Sequence, residues 1–316
     1  MMDRAAATRA ARSLIENVEQ VIRGKRRPVE AAVTCLLAGS HLLVEDVPGV
    51  GKTMLARSMA RSVRGSFKRI QATPDLLPSD ITGASVFNQA TVSFQFMPGP
   101  LFANVVLVDE INRTTPRTQS ALLEAMDEGA VTVEGLRHPL PDAFFLIATQ
   151  NPVEHHGTYP LPEGQLDRFA MAMDMGYVDA ATERDIVRAQ LGSHPIEELD
   201  AVLSLDEVVG VRRHVRTTHV GEAVLGYAME LTRATRGHPD VELGASPRAS
   251  ITLVRCAQAR ALLDGREFVL PDDVKSLAVS SLAHRLVPGA GMRLDQGRGA
   301  EIIREIVTET PVPVTE

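Results

Sequence analysis

The chain has no tryptophan, three tyrosines and nine phenylalanines in 316 residues. Its packing must therefore rest on Leu, Val, Ile, Ala and Met. The whole apolar fraction, 44%, is enough to bury a sizeable core. Only two cysteines occur, Cys35 and Cys256. They lack the spacing of a metal site, and both read as buried structural thiols in helix-like stretches. A basic excess is also missing: the formal charge is -7, which argues against a duplex-binding protein. No apolar run reaches the ~18 residues of a membrane span, and residues 1–16 are Ala/Arg-rich without a signal peptide's apolar core. The default is a soluble cytoplasmic protein.

What is present divides into two halves. Residues 35–178 alternate short apolar runs with helical stretches. Strand candidates are Leu42 to Val44, Phe67 to Gln71, Val105 to Val108, Phe144 to Ala148 and a weaker Ala170 to Met175. Leu55, Met59 and Val63 recur at i+4 after the first strand, one face of a helix. Strands alternating with helices imply a doubly wound α/β parallel sheet. The run Val105 to Val108 is apolar throughout and mostly β-branched, as a strand buried on both faces requires. A long Pro/Gly-punctuated piece, residues 72–102, interrupts the pattern and holds a hairpin-like alternation at Val92 to Phe96. A second small hairpin is expected at 130–141. From about residue 197 the pattern turns helical. It holds a capping box at Ser204/Glu207, a helix over Glu222 to Arg236, one opening Ser246-Pro247, and one from Pro271 to about Val287. The expected organisation is a core domain over 1–195, a small all-α domain over 196–308 and a flexible polar tail over 309–316.

The chemistry-bearing residues begin at "EDVPGVGKT", residues 45–53. A strand that breaks into glycines and then a helix gathers backbone N–H groups at a helix N-terminus, which binds phosphate. Gly49 and Gly51 allow close approach, Lys52 can reach the outer phosphates, and Thr53 can offer its hydroxyl to Mg²⁺. The written motif G-x-x-x-x-G-K-[ST] puts its first glycine where Asp46 stands. An Asp tolerates that turn if its carboxylate is tied to backbone N–H groups of the loop.

"VVLVDE" ends a buried strand in Asp109 and Glu110. Such a pair can hold Mg²⁺ and activate water, or can merely precede the helix starting near Thr115-Pro116. Asn151, after the fourth strand, can position water at the carboxyl edge of the sheet, or can be a turn residue before Pro152. Arg168, in "QLDRF" between the fourth and fifth strands, reads from its neighbours as a surface ion pair with Asp167 or Glu163. Arg248, at N2 of its helix, reads as an anion ligand or as a solvated first-turn residue. The pair His155-His156 lacks neighbours to complete a metal site, and "RGKRR" at 23–27 reads as a solvated helix end.

In this order the residues resemble the AAA+ ATPases, and the MoxR branch in particular. The matching stretches are "EDVPGVGKT", "QATPDLLPSDITG", "FMPGPLFANVVLVDEINR", "TQSALLEAMDEGAVTVEG", "ATQNP", "GTYPLPEGQLDRF" and "SPRA", spanning roughly residues 20–290. The resemblance implies a five-stranded parallel sheet flanked by helices with a helical lid. It implies ATP and Mg²⁺ as ligands. Pro48, Gly49, Val50, Gly51, Lys52, Thr53 and Met54 would contact nucleotide, with Val21, Ile22 and Gly24 packing on adenine. Thr53 and Asp109 would hold Mg²⁺, and Glu110 and Asn151 would serve the attacking water. Arg168 would be an arginine finger acting on a neighbouring subunit, and Arg248 a lid sensor. The resemblance further implies a homo-oligomeric ring, with a hexamer expected. It implies a partner with a von Willebrand factor A domain, and a chaperone-like role in maturing client protein complexes. Rivals from other classes are a nucleotide-switched scaffold without hydrolysis and a DNA-acting motor. His156 and Gly164 depart from the branch's usual spelling, and Asp46 matches it.

Overall fold

The computed structural model describes residues 2–151, 157–192, 194–289 and 296–313. The His155-His156 pair lies outside them. Two helices lead, α1 (Arg4–Glu19) and α2 (Arg26–Ala38), followed by β1 (Leu42–Glu45), α3 (Lys52–Ser62) and β2 (Phe67–Gln71). The interrupting piece is α4 (Pro78–Thr82) with the antiparallel hairpin β3 (Gly83–Asn88) and β4 (Ser93–Pro98). Then come β5 (Val105–Asp109), α5 (Pro116–Glu128), a second hairpin β6 (Ala130–Val133) and β7 (Leu136–Pro139), and β8 (Phe145–Gln150). The core ends with α6 (Glu163–Leu166), β9 (Met171–Met173) and α7 (Ala180–Gln190). The last third is α8 (Leu205–Arg216), α9 (Glu222–Ala234), β10 (Val241–Leu243), α10 (Pro247–Leu263), α11 (Pro271–Leu282), β11 (Val287–Pro288) and α12 (Gln296–Glu309).

The five strands expected from the sequence form one parallel sheet in the order β2-β5-β8-β1-β9. Its side chains alternate between two cores. Leu42, Val44, Val105, Leu107, Phe145 and Ile147 face α1–α3 and the C-terminal helices. Leu43, Val106, Val108, Leu146 and Ala148 face α5 and the region of the insert. All carboxyl ends of a parallel sheet lie on one edge, so Glu45, Asp109 and Gln150 emerge together there.

Helix α1 is not legible as an element in the sequence, because its buried stripe begins with small residues: Ala7 and Ala11 precede Leu14, Ile15 and Val18. It ties the core to the helical third. Thr8 Oγ1 donates to the Leu262 carbonyl at 3.1 Å and Arg12 Nε to that of Leu263 at 2.6 Å, while Asn17 Nδ2 donates to Ser62 Oγ at 2.9 Å. The helical third also carries the short antiparallel pair β10–β11, which an all-helical reading omits. The tail is held at its start. The last helix runs to Glu309, and Thr310 is buried with its hydroxyl donating to the Ile306 carbonyl at 2.8 Å.

The insert depends on two glycines. At Gly83 (φ +90°) a Cβ would fall 2.2 Å from the Met97 carbonyl oxygen, and at Gly99 one would fall 2.4 Å from that of Ile81. The crossing of these segments therefore excludes any side chain. Phe96 stacks on His138, ring centroids 3.8 Å apart, joining the two hairpins. Among the described residues no helix is long and apolar enough to cross a membrane.

Buried histidines make the core pH-sensitive, and His41 is one of them. His41 precedes β1. Its Nδ1 accepts from the Leu146 N–H at 3.1 Å and its Nε2 meets the Met126 carbonyl at 3.3 Å. The pairing fixes the neutral Nε2–H tautomer. Protonating Nδ1 would set two donors against each other. Burial lowers the His41 pKa to about 4 from 6.5. The unfolded chain thus binds the proton first, and stability falls as pH drops from about 6.5 towards about 4. The expected loss from His41 across that window is about 3 kcal/mol. Urea unfolding midpoints at pH 7 and pH 4.5 check this, with His41→Gln expected to flatten the slope.

Candidate nucleotide site

The glycine loop joins β1 to α3. Gly51 caps α3 at φ 100° and Gly49 lies at φ 88°, the left-handed region that suits glycine. Asp46 answers the question its place in the motif raises. Its Oδ1 accepts from its neighbour Val47 N at 2.7 Å, and its Oδ2 from Met175 N and Gly176 N at 2.7 and 2.8 Å. One of these bonds is within the loop. The other two pin the loop to the segment just past β9. The Asp46 carbonyl accepts from Lys52 Nζ at 2.6 Å. Burial draws the Lys52 amine below the usual lysine range, and Asp46, Asp109 and Glu110 oppose that shift. Their charge keeps a half-buried cation in place.

At the end of β5, Thr149 of β8 organises both acids. Its hydroxyl donates to Asp109 Oδ1 at 2.7 Å and accepts from the Glu110 backbone N–H at 2.9 Å. Glu110 itself sits at φ 58°, an unusual backbone state for a residue with a side chain, of the kind that clusters at functional sites. Its Oε2 pairs with Arg113 Nε at 3.0 Å and accepts from Gln71 Nε2 at 3.3 Å. Asp109 Oδ2 is held by Arg69 Nη2 at 2.6 Å. Asn151 follows β8 and is 9% exposed.

These groups surround one cavity of about 370 Å³, lined by Pro48, Gly49, Gly51, Lys52, Thr53, Met54, Arg69, Gln71, Asp109, Glu110 and Asn151. A second cavity of about 340 Å³ shares Gly49, Gly51 and Met54 with it and is lined further by Val21, Ile22, Lys25, Val50, Tyr177 and Ile186. Gly24 abuts α7: a Cβ there would meet Thr182 Cγ2 at 2.8 Å. Lys25 Nζ donates to the carbonyls of Val50 and Gly176 at 2.8 and 2.7 Å, bracing the rim. The two neighbouring cavities offer a polar side for phosphates and a more apolar side for a base. The hydroxyl of Thr53 and the carboxylate of Asp109 are hard oxygen donors on the polar side. They suit a Mg²⁺ that keeps waters and phosphate oxygens as its other ligands. Among the described residues no group of three or more His, Cys, Asp or Glu could hold a metal by itself.

Arg168 and Arg248 lie elsewhere. Neither is among the residues lining these two cavities. The structure brings them to each other on Asp127, near the end of α5. Arg168 Nε donates to Asp127 Oδ2 at 2.6 Å, and Arg248 Nη1 to Oδ1 at 2.8 Å. The surface pairing of Arg168 with Asp167 or Glu163 is not what forms. Asp167 is instead engaged by Ser246 Oγ at 2.8 Å and by the buried Arg285, whose Nε lies 3.0 Å from Oδ1.

The chain is similar to known proteins over most of its length. A family profile described as ATPase family associated with various cellular activities (AAA) matches residues 41–171, and an AAA lid domain profile matches 233–306. The chain is 49% identical over 300 residues to YeaC of Bacillus subtilis, covering 95% of this chain and 94% of that one. It is 38% identical over 308 residues to the chaperone MoxR1 of Mycobacterium tuberculosis, covering 95% and 81%. The crystal structure of a Cytophaga hutchinsonii protein superimposes with a TM-score of 0.89 at 34% identity, over 98% of this chain and 97% of that one. The chain belongs to the MoxR family of AAA+ ATPases.

Within this MoxR-family chain, sequence reasoning misses Arg69, Gln71, Thr149 and Lys25. Register is the signal for two of them. Gln71 stands opposite Asp109 once β2 is known to neighbour β5, and Arg69 shares its strand face. Thr149 alternates with Ala148 and Gln150 at the sheet edge. At 0% exposure, its hydroxyl must find a partner inside.

Proposed function

We propose that this MoxR-family chain hydrolyses ATP with Mg²⁺ in a homo-oligomeric ring, a hexamer, and couples that turnover to the remodelling of client protein complexes in the cytoplasm. The carrying observation is the split of the machinery. Lysine, hydroxyl, two acids and amide converge on one cavity, while the two arginines stand together outside it.

In this reading the loop N–H groups and Lys52 hold the β- and γ-phosphates, and Val21, Ile22 and Gly24 shape the adenine side. Thr53 and Asp109 would hold Mg²⁺, which supplies charge neutralisation across the phosphates. Arg69, now on Asp109, must yield part of that carboxylate when nucleotide enters. Glu110 takes a proton from the attacking water and Asn151 orients it. Arg168 and Arg248, which do not line their own chain's cavity, would face the nucleotide of a neighbouring chain. The chaperone name of one relative supports client remodelling. A protein with a von Willebrand factor A domain is the partner we expect to present clients.

The test is phosphate release from ATP at micromolar protein. Turnover is expected with Mg²⁺ and is expected to stop when EDTA removes it. Full-length chain that binds ATP yet releases no phosphate in assembled form would turn the reading towards a nucleotide-switched scaffold.

A further inference from the structure

Asp127 is an acid in the last turn of α5, where the helix's own negative end disfavours it. Two guanidiniums compensate it from different parts of the fold. Arg168 follows α6 in the core, and Arg248 opens α10 in the lid. Each would repel the other across this short distance without the carboxylate between them.

The contacts are selective. Asp127 takes the Nε of Arg168 and only Nη1 of Arg248, the latter at 2.8 and 3.1 Å. Among the described residues the two terminal amines of Arg168 have no hydrogen-bond partner, so the fork suited to a phosphate stays available. The Arg168 side chain is 28% exposed and that of Arg248 48%, so both reach the surface from this anchor. The anchor itself is firm: Ser246, two residues before Arg248, is fixed to Asp167, and Asp167 is fixed by buried Arg285.

We propose that Asp127 is a positioning residue. It holds Arg168 and Arg248 as one unit and aims the free amines of Arg168 at the ATP of the neighbouring chain. It thereby joins core and lid at the point where that nucleotide is sensed. This rests on the reading that the arginines act on a neighbour.

The experiment is subunit complementation of full-length chains, mixed before assembly and assayed by phosphate release. Asp127→Asn is expected to lower kcat about tenfold, with KM and the affinity of its own site for ATP unchanged. Mixing with Glu110→Gln chains, which keep intact arginines, is expected to restore turnover. Mixing with Arg168→Ala chains is expected not to. Asp127→Glu, which keeps the charge, is expected to retain most activity. Wild-type turnover by Asp127→Asn, recovery with Arg168→Ala chains, or recovery with neither partner would overturn the proposal. The pair Arg168→Ala with Glu110→Gln is the control. If these two do not restore each other, the reading of arginines acting across chains fails, and the role of Asp127 falls with it. If they do, and Asp127→Asn groups otherwise, only the role of Asp127 fails.

Discussion

Glu110→Gln chains are expected to bind ATP as tightly as the unaltered protein and to release phosphate about 10³-fold more slowly. The change is close to isosteric. The backbone N–H of residue 110 still finds Thr149 Oγ1 and the side-chain oxygen can still accept from Gln71, so the left-handed turn after β5 keeps its supports. Lys52, Thr53 and Asp109, to which we assign the phosphate and Mg²⁺ contacts, are untouched. What disappears is the basicity that takes the proton from water, along with the charge pairing to the partly exposed Arg113. Equilibrium binding of a fluorescent ATP analogue and steady-state phosphate release, measured on the same preparation, separate the two effects. Normal turnover in this variant would move the water-activating role away from Glu110. A collapse of binding would instead make Glu110 a ligand for the nucleotide.

Arg168→Ala is expected to lose a similar amount of turnover, roughly 10³-fold, by the scale of arginine fingers in other phosphoryl transfers. Its signature differs. Arg168 is held by Asp127 and is not among the lining residues of either cavity, so the dilute single chain should bind ATP with unchanged affinity. Stability should change little, because the Arg168–Asp127 pair is partly exposed, and exposed pairs contribute about 1 kcal/mol or less. Binding isotherms at low protein concentration, beside phosphate release at high concentration, check both halves. Weakened binding in the dilute chain would place Arg168 at its own nucleotide.

Much of this site is legible in the amino-acid sequence. A strand, a glycine turn and an amphipathic helix carry their own local signals, and Asp109-Glu110 after a fully apolar strand carries another. Those pieces depend on neighbours in sequence. Arg69 and Gln71 do not stand out, because their meaning comes from the pairing of β2 with β5, which local pattern does not encode. Asp46 reads as a break in a motif. Its carboxylate is committed to Met175 and Gly176, 129 and 130 residues away, and only the folded chain shows that contact. The partner of Arg168 is hidden for the same reason. Nearby acids in sequence are the natural candidates, but Asp127, 41 residues earlier, is the one in reach. Helix α1 escapes because its buried face opens with Ala7, Thr8 and Ala11 and includes Asn17, which give hydrophobic periodicity little weight.

That each ATP site is completed by a second chain is tested most directly by phosphate release per chain. The measurement runs at saturating ATP and Mg²⁺ across a dilution series from nanomolar to tens of micromolar, with particle mass followed in parallel. The expected per-chain rate climbs with assembly and is nearly lost in the monomer. A per-chain rate that stays constant while the particle falls from ring to monomer would contradict completion by a neighbour.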